Sequence, residues 1–115
     1  MGKYQENPRK PKRQNRLLKI AKVEALPKGR GATVQLNDGS EIALFNAEGK
    51  FYAIENFCPH KGAPLANSPL YGNIVECEQH GWLFDVSSGK CLTKKECSLE
   101  TYEVKVEDGW IKILV

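Results

Sequence analysis

Nowhere does this 115-residue chain run to the roughly 18 consecutive apolar residues that a membrane-spanning helix needs, so no membrane span is expected. The N-terminus is positively charged but has no apolar stretch behind it, which departs from the pattern of a cleaved secretory signal. There is no internal repeat, and no low-complexity tract beyond the first sixteen residues. The glycines are scattered at turns rather than gathered into a phosphate-cradling loop, and no nucleophile–base pair stands out. Histidine is scarce: the chain has two, His60 and His80, and each lies within three residues of a cysteine. Four cysteines without an export signal read as ligands or free thiols rather than disulfides, which points to a reducing cytoplasm.

What is present fits one small globular domain. The length allows a single core, and 41% hydrophobic with 27% charged residues is ordinary for a soluble fold. The net charge of +3 is unevenly placed. Residues 1–16 hold six Lys/Arg (Lys3, Arg9, Lys10, Lys12, Arg13, Arg16) against Glu6 alone, a net +5, whereas residues 17–115 carry eleven Lys/Arg and thirteen Asp/Glu, a net −2. With two prolines and almost no apolar side chains, 1–16 is expected to be a disordered basic tail, a solvated extension rather than a nucleic-acid arm.

Residues 17–115 read as short strands between turn signals. LLKIAKVE (17–24), ATVQL (32–36), EIALF (41–45) and FYAIE (51–55) are rich in β-branched and aromatic residues. NDG (37–39) and AEG (47–49) supply the Asn or Gly that tight turns need. GNIVE (72–76) and WLFDV (82–86) follow, and YEVKV (102–106), EDG (107–109) and WIKILV (110–115) form a hairpin pattern. Strands at roughly ten-residue spacing with no long helical period predict an all-β antiparallel sandwich or small barrel.

Two boxes carry the chemistry. Cys58-Pro59-His60 is C-x-H and Cys77-Glu78-Gln79-His80 is C-x2-H, with sixteen residues between His60 and Cys77. Each lies between a strand end and a Gly/Pro-rich turn, so two loops would offer one sulfur and one nitrogen apiece. The bland alternative is two surface histidines and two small buried cysteines. Paired Cys–His loops instead favour a metal, and soft thiolate with imidazole suits zinc or an iron–sulfur cluster rather than calcium or magnesium. A zinc finger of the Cys2His2 kind usually sets a helix between its halves and uses longer spacings. A [2Fe–2S] cluster with thiolates on one iron and imidazoles on the other uses the same four donors. Its oxidised core of +2 is balanced by two thiolates, so the site is neutral and easier to reduce than an all-cysteine one.

On these boxes, with Gly62, Pro64, Gly81, the GWLFD stretch and the SSGKCL that follows, most of residues 17–115 resembles the Rieske family. The resemblance implies a β-sandwich-like body with a small cluster-binding subdomain of two loops. It implies that Cys58 and Cys77 hold one iron of a single [2Fe–2S] cluster while His60 and His80 hold the other. It places the histidines at a solvent-facing tip where electrons enter and leave, with second ring nitrogens able to titrate. Quinol-oxidising members usually carry a further cysteine in each loop, joined as a disulfide. Ala63 and Gln79 stand at the matching positions here. Those members also set serine and tyrosine hydroxyls against the cluster sulfurs, where this chain has Trp82 and Phe84. Without the hydroxyls, and with Glu76 and Glu78 flanking Cys77, a lower potential is expected.

The expected protein is therefore a soluble, monomeric, low-potential ferredoxin of the Rieske type. It would carry single electrons from a flavin reductase to a terminal oxygenase or similar acceptor, and would not be an enzyme by itself. CPHKGAPL also looks like the small subunit of assimilatory nitrite reductases, which is the second reading; a zinc-stabilised module is the third. Lys61 and Leu65 are expected on an exposed rim near the tip, where a redox partner would dock through a small interface. Trp82 and Phe84 alternate with Leu83 and Val86 and are expected to pack in a core. Cys91 and Cys97, in GKCLTKKEC, are expected to be partly buried free thiols, a hairpin-end disulfide being the alternative.

Overall fold

A computed structural model describes residues 4–60, 62–79 and 81–115. Ten strands and one short 3-10 helix appear among them, in the order β1 (Leu17–Lys22), the 3-10 turn Val23–Ala25, β2 (Gly31–Gln35), β3 (Glu41–Ala47), β4 (Lys50–Glu55), β5 (Leu70–Tyr71), β6 (Ile74–Glu76), β7 (Leu83–Asp85), β8 (Thr101–Tyr102), β9 (Val104–Glu107) and β10 (Trp110–Leu114). They form three antiparallel sheets, β1-β10-β9, β2-β3-β4-β8 and β5-β6-β7. The fold class is all-β, as the strand spacing predicts. β5, two residues long, is too short to leave a pattern in the sequence.

The hairpins follow from turn chemistry. β9 and β10 are joined through Asp108 and Gly109, at φ 54° and 78°, and β3 and β4 through Glu48 and Gly49, at φ 56° and 99°. Two consecutive positive φ angles give the type I′ twist that matches two right-twisted strands.

Strand β3 explains how a small body supports a second subdomain. All of its residues from Ile42 to Ala47 are buried, and they serve two cores by turns. Ile42 and Leu44 face one apolar cluster with Ala53, Ile111 and Ile113, the body of the sandwich. Ala43, Phe45 and Ala47 face the other, with Ile54, Leu65, Val75, Phe84 and the four cysteines. Side chains alternate along a strand, so a strand covered on both faces reads as a continuous apolar run. Each fully buried Phe or Ile contributes about 1.5–3 kcal/mol of transfer free energy. The β2-β3-β4-β8 sheet is thus the shared wall between the body and the β5-β6-β7 subdomain.

Residues 4–16, expected to be disordered on composition, carry no strand or helix and lie along the body. Asn7 Nδ2 donates to Glu55 Oε1 at 3.2 Å, and Arg9 pairs with Glu41 at 3.4 Å. Lys10 and Arg13 both pair with Glu100, and the Arg13 guanidinium sits 4.4 Å above the Tyr102 ring. Gln14 and Arg16 amides both donate to the Val115 carbonyl. The physical reason is complementarity: cations that composition assigns to solvent find the excess carboxylates of the body. Pro11 supplies the segment's one buried residue.

Candidate metal centre

The first box follows β4. Asn56 and Phe57 continue the chain inward, and Cys58 is fully buried. The second box caps the β6–β7 hairpin, where Glu76 pairs with Leu83 across the loop 77–82. The two loops share one backbone scheme. Cys58 N–H donates to the Ala63 carbonyl at 2.7 Å and Gly62 N–H to the Cys58 carbonyl at 2.6 Å. Cys77 N–H donates to the Trp82 carbonyl at 2.8 Å and Gly81 N–H to the Cys77 carbonyl at 3.1 Å. Each loop therefore closes on its cysteine, and the closure needs a left-handed residue four positions on. Gly62 and Gly81 supply it, at φ 76° and 69°.

Both sulfur-bearing residues lie in the same apolar cluster, Cys77 at 1% exposure. His60 is half-buried with its Nδ1 atom buried, and its ring stacks on Trp82 with centroids 4.7 Å apart and planes 19° apart. Because Trp82 ends the second loop, this stack ties one box to the other. Tyr4 also packs on the indole, edge-on at 5.6 Å. His80 and Lys61 lie outside the described residues. Among the described residues no three Cys, His, Asp or Glu side chains gather as a metal-holding group. The donors suit an iron–sulfur cluster: two buried sulfurs on the protein side, an imidazole nearer the solvent, and a largely apolar lining.

Trp82 and Phe84 are both core residues, at 6% and 0% exposure, as their alternation predicts. Neither offers a hydroxyl. Ala63 packs against the core and Gln79 is exposed. Glu76 is near the second loop, since a Cβ on Gly81 would lie 3.3 Å from its Oε2. Leu65, expected on an exposed rim, is fully buried. The correction has a clear cause in Asn56, at 1% exposure. Its Oδ1 accepts the Leu65 amide at 2.8 Å and the Ala66 amide at 2.9 Å, drawing the end of the first loop into the core. Its Nδ2 donates to Thr33 Oγ1 at 3.2 Å and Glu41 Oε1 at 3.1 Å. Sequence reasoning passed over Asn56; the available signal was a polar pair, Glu55-Asn56, between the apolar residues Ile54 and Phe57.

Cys91 and Cys97 are buried free thiols. Burial, then the neighbouring Cys91 sulfur, pushes the Cys97 thiol up to about 12.

Comparison with known proteins accords with this arrangement. A family model for the Rieske [2Fe-2S] domain matches residues 16–103. The ferredoxin component of the naphthalene 1,2-dioxygenase/salicylate 5-hydroxylase systems of Ralstonia sp is 39% identical over 87 residues, which is 75% of this chain and 83% of that protein. A chain in the complex of reduced oxygenase and oxidized ferredoxin of carbazole 1,9a-dioxygenase superposes with a TM-score of 0.81 at 26% identity, over 88% of this chain and 94% of that one. A Mycobacterium tuberculosis chain assigned as the small subunit of an NADH-dependent nitrite reductase superposes with a TM-score of 0.78 at 28% identity, over 85% and 93%. With the family model spanning most of the chain and the paired loops closing on Cys58 and Cys77, this protein belongs to the Rieske [2Fe-2S] family.

Proposed function

We propose that the chain is a single-electron carrier in which Cys58 and Cys77 hold one iron of the cluster and His60 and His80 hold the other. The bound cluster supplies one-electron storage. The protein's part is to fix the donors. Backbone closure at Gly62 and Gly81 holds the two sulfurs inside the apolar core. Trp82 braces the His60 ring at the exposed edge, where electrons would cross to a partner over a short distance. The observation that carries this reading is the common closure of both loops on a buried cysteine.

The direction of electron flow is from a reductase to a terminal oxygenase, by likeness to ferredoxin components of dioxygenase systems. No helix of the described residues is long and apolar enough to cross a membrane, and the carrier is proposed to be a cytoplasmic monomer. Absence of hydroxyls at Trp82 and Phe84, with Glu76 beside the second loop, favours a potential below that of quinol-oxidising relatives. A second reading, the small subunit of a nitrite reductase, is favoured by the likeness to the mycobacterial chain. Copurification with a sirohaem enzyme would select it.

The test is an EPR-monitored redox titration of anaerobically purified protein, with His60→Ala and His80→Ala beside it. A Rieske-type signal at low potential, lost or grossly altered in both variants, is expected. A high potential would restore quinol chemistry. An unchanged spectrum in either variant would refute the ligand set, and a colourless, silent protein would leave a zinc module.

A further inference from the structure

The remaining two cysteines are placed for chemistry of their own. An antiparallel bridge joins Lys90 to Ser98, so the next pair inward is Cys91 opposite Cys97. Cys91 N–H donates to the Cys97 carbonyl at 3.3 Å. Residues directly opposed across an antiparallel pair have Cβ atoms about 4.5–5.5 Å apart, and a disulfide asks for about 3.5–4.5 Å, so a small inward movement suffices. The connecting residues 92–96 are all exposed and can supply that movement. Lys94 N–H also points at Cys91 Sγ, at 3.3 Å.

Both cysteines are nearly buried, Cys91 at 7% and Cys97 at 6% exposure. Cys97 lines an open cleft of about 500 Å³, roofed by the N-terminal segment through Tyr4, Gln5 and Lys10 and walled by Glu96 and Phe57. Cys91 does not line it.

We propose that Cys91 and Cys97 form a redox-active dithiol, separate from the cluster ligands, that a small-molecule disulfide oxidises to an intrachain disulfide. The thiolate of either cysteine attacks one sulfur of the small disulfide, breaking its S–S bond and releasing one thiol. The other cysteine's thiolate then attacks the protein-side sulfur of the mixed disulfide, forming the intrachain bond and releasing the second thiol. Two protein S–H protons leave with the two released thiolates, and the protein loses two electrons to the small disulfide. The site neighbours the metal loops. Leu92 N–H donates to the Leu83 carbonyl at 2.7 Å and Leu83 N–H to Thr93 Oγ1 at 2.9 Å, so the loop that the bridge would tie braces β7 just after Trp82.

The test exposes the cluster-loaded protein, without oxygen, to excess oxidised glutathione. The reaction is quenched in acid, remaining thiols are alkylated, and peptides are mapped by mass, with visible absorption recording cluster retention. One Cys91–Cys97 bridge, an unchanged absorption spectrum and reversal by dithiothreitol are expected. Each single variant, Cys91→Ser or Cys97→Ser, is expected to stop at a glutathione adduct on the cysteine that remains. The proposal is overturned if both wild-type thiols stay fully alkylatable while an unstructured peptide of residues 90–98 oxidises. It is equally overturned by adducts without a bridge, or by a bridge that involves Cys58 or Cys77. The wild-type map decides even where a variant fails to fold.

Discussion

Replacing Asn56 with alanine should cost this protein a large share of its stability through two backbone amides. Asn56 Oδ1 is the acceptor for Leu65 and Ala66 N–H, and all three residues are buried. Alanine leaves both donors without an acceptor and without room for bulk water. An orphaned buried donor costs about 1–3 kcal/mol, so the pair sets an expected loss of about 2–6 kcal/mol. The donor side adds little, because Thr33 is exposed and Glu41 half-buried, and both can turn to water. Against a usual 5–15 kcal/mol for a whole domain, that loss is severe. At about 4 °C per kcal/mol for a domain of this size, the midpoint should fall by roughly 8–24 °C.

Urea unfolding followed by tryptophan fluorescence, with visible absorption followed in parallel, checks both the magnitude and the place. The cluster absorption should bleach no later than the fluorescence changes, since the amides belong to the segment that closes the first loop. Asn56→Asp separates acceptor from donor roles. It keeps oxygens for both amides but sets a carboxylate where Nδ2 now meets Glu41 Oε1 at 3.1 Å. Its deficit should shrink as pH falls and one of the two carboxyls takes a proton. If Asn56→Ala stays within about 1 kcal/mol of wild type, the hydrogen-bond argument for the loop is refuted.

Gly89→Ala and Gly109→Ala share a positive φ, 77° and 78°, but a Cβ at 89 would lie 2.0 Å from the Leu99 carbonyl oxygen while at 109 it meets nothing within 4 Å. Gly109→Ala should cost about 1–2 kcal/mol in denaturant unfolding and Gly89→Ala distinctly more, to the point of insoluble protein; equal costs would refute the close-approach argument. Hydrogen bonds from Lys10 and then Arg13 hold the Glu100 carboxyl below its ordinary value of 4.5. A depressed folded value means stabilisation that is present above the unfolded value and lost as pH falls through the folded one. The gap between wild type and Glu100→Gln, less than about 1 kcal/mol because these side chains are 40–51% exposed, should therefore close below pH 4 and in 1 M salt; a gap that persists in acid would overturn the pairing.

Much of this molecule is legible in its sequence because the relevant physics is local. Turn chemistry such as Asp108-Gly109 fixes hairpin register within two residues, and the Cys–His boxes announce soft donors at short spacing. The two-faced burial of β3 is visible as the unbroken run IALF. Legibility fails where a residue's role depends on distant partners. Asn56 looks like loop polarity until Leu65 and Ala66 are seen to use it, nine and ten residues away. Leu65 follows the box, but sequence adjacency to an exposed tip says nothing about which way the returning chain turns.

The N-terminal segment shows the same limit in electrostatic form. Its +5 and the −2 of the rest are plain in the composition, yet composition does not say whether opposite charges meet. They meet here because the acids lie along one path, Glu41 beside Arg9 and Glu100 beside Lys10 and Arg13, while Glu55 accepts a hydrogen bond from the neutral Asn7 amide. No single pair is worth much at such exposure. Their joint effect is positional. They hold Gln5 N–H against the Pro59 carbonyl and Tyr4 against Trp82, so the segment that sequence alone assigns to solvent reaches the indole that stacks on His60.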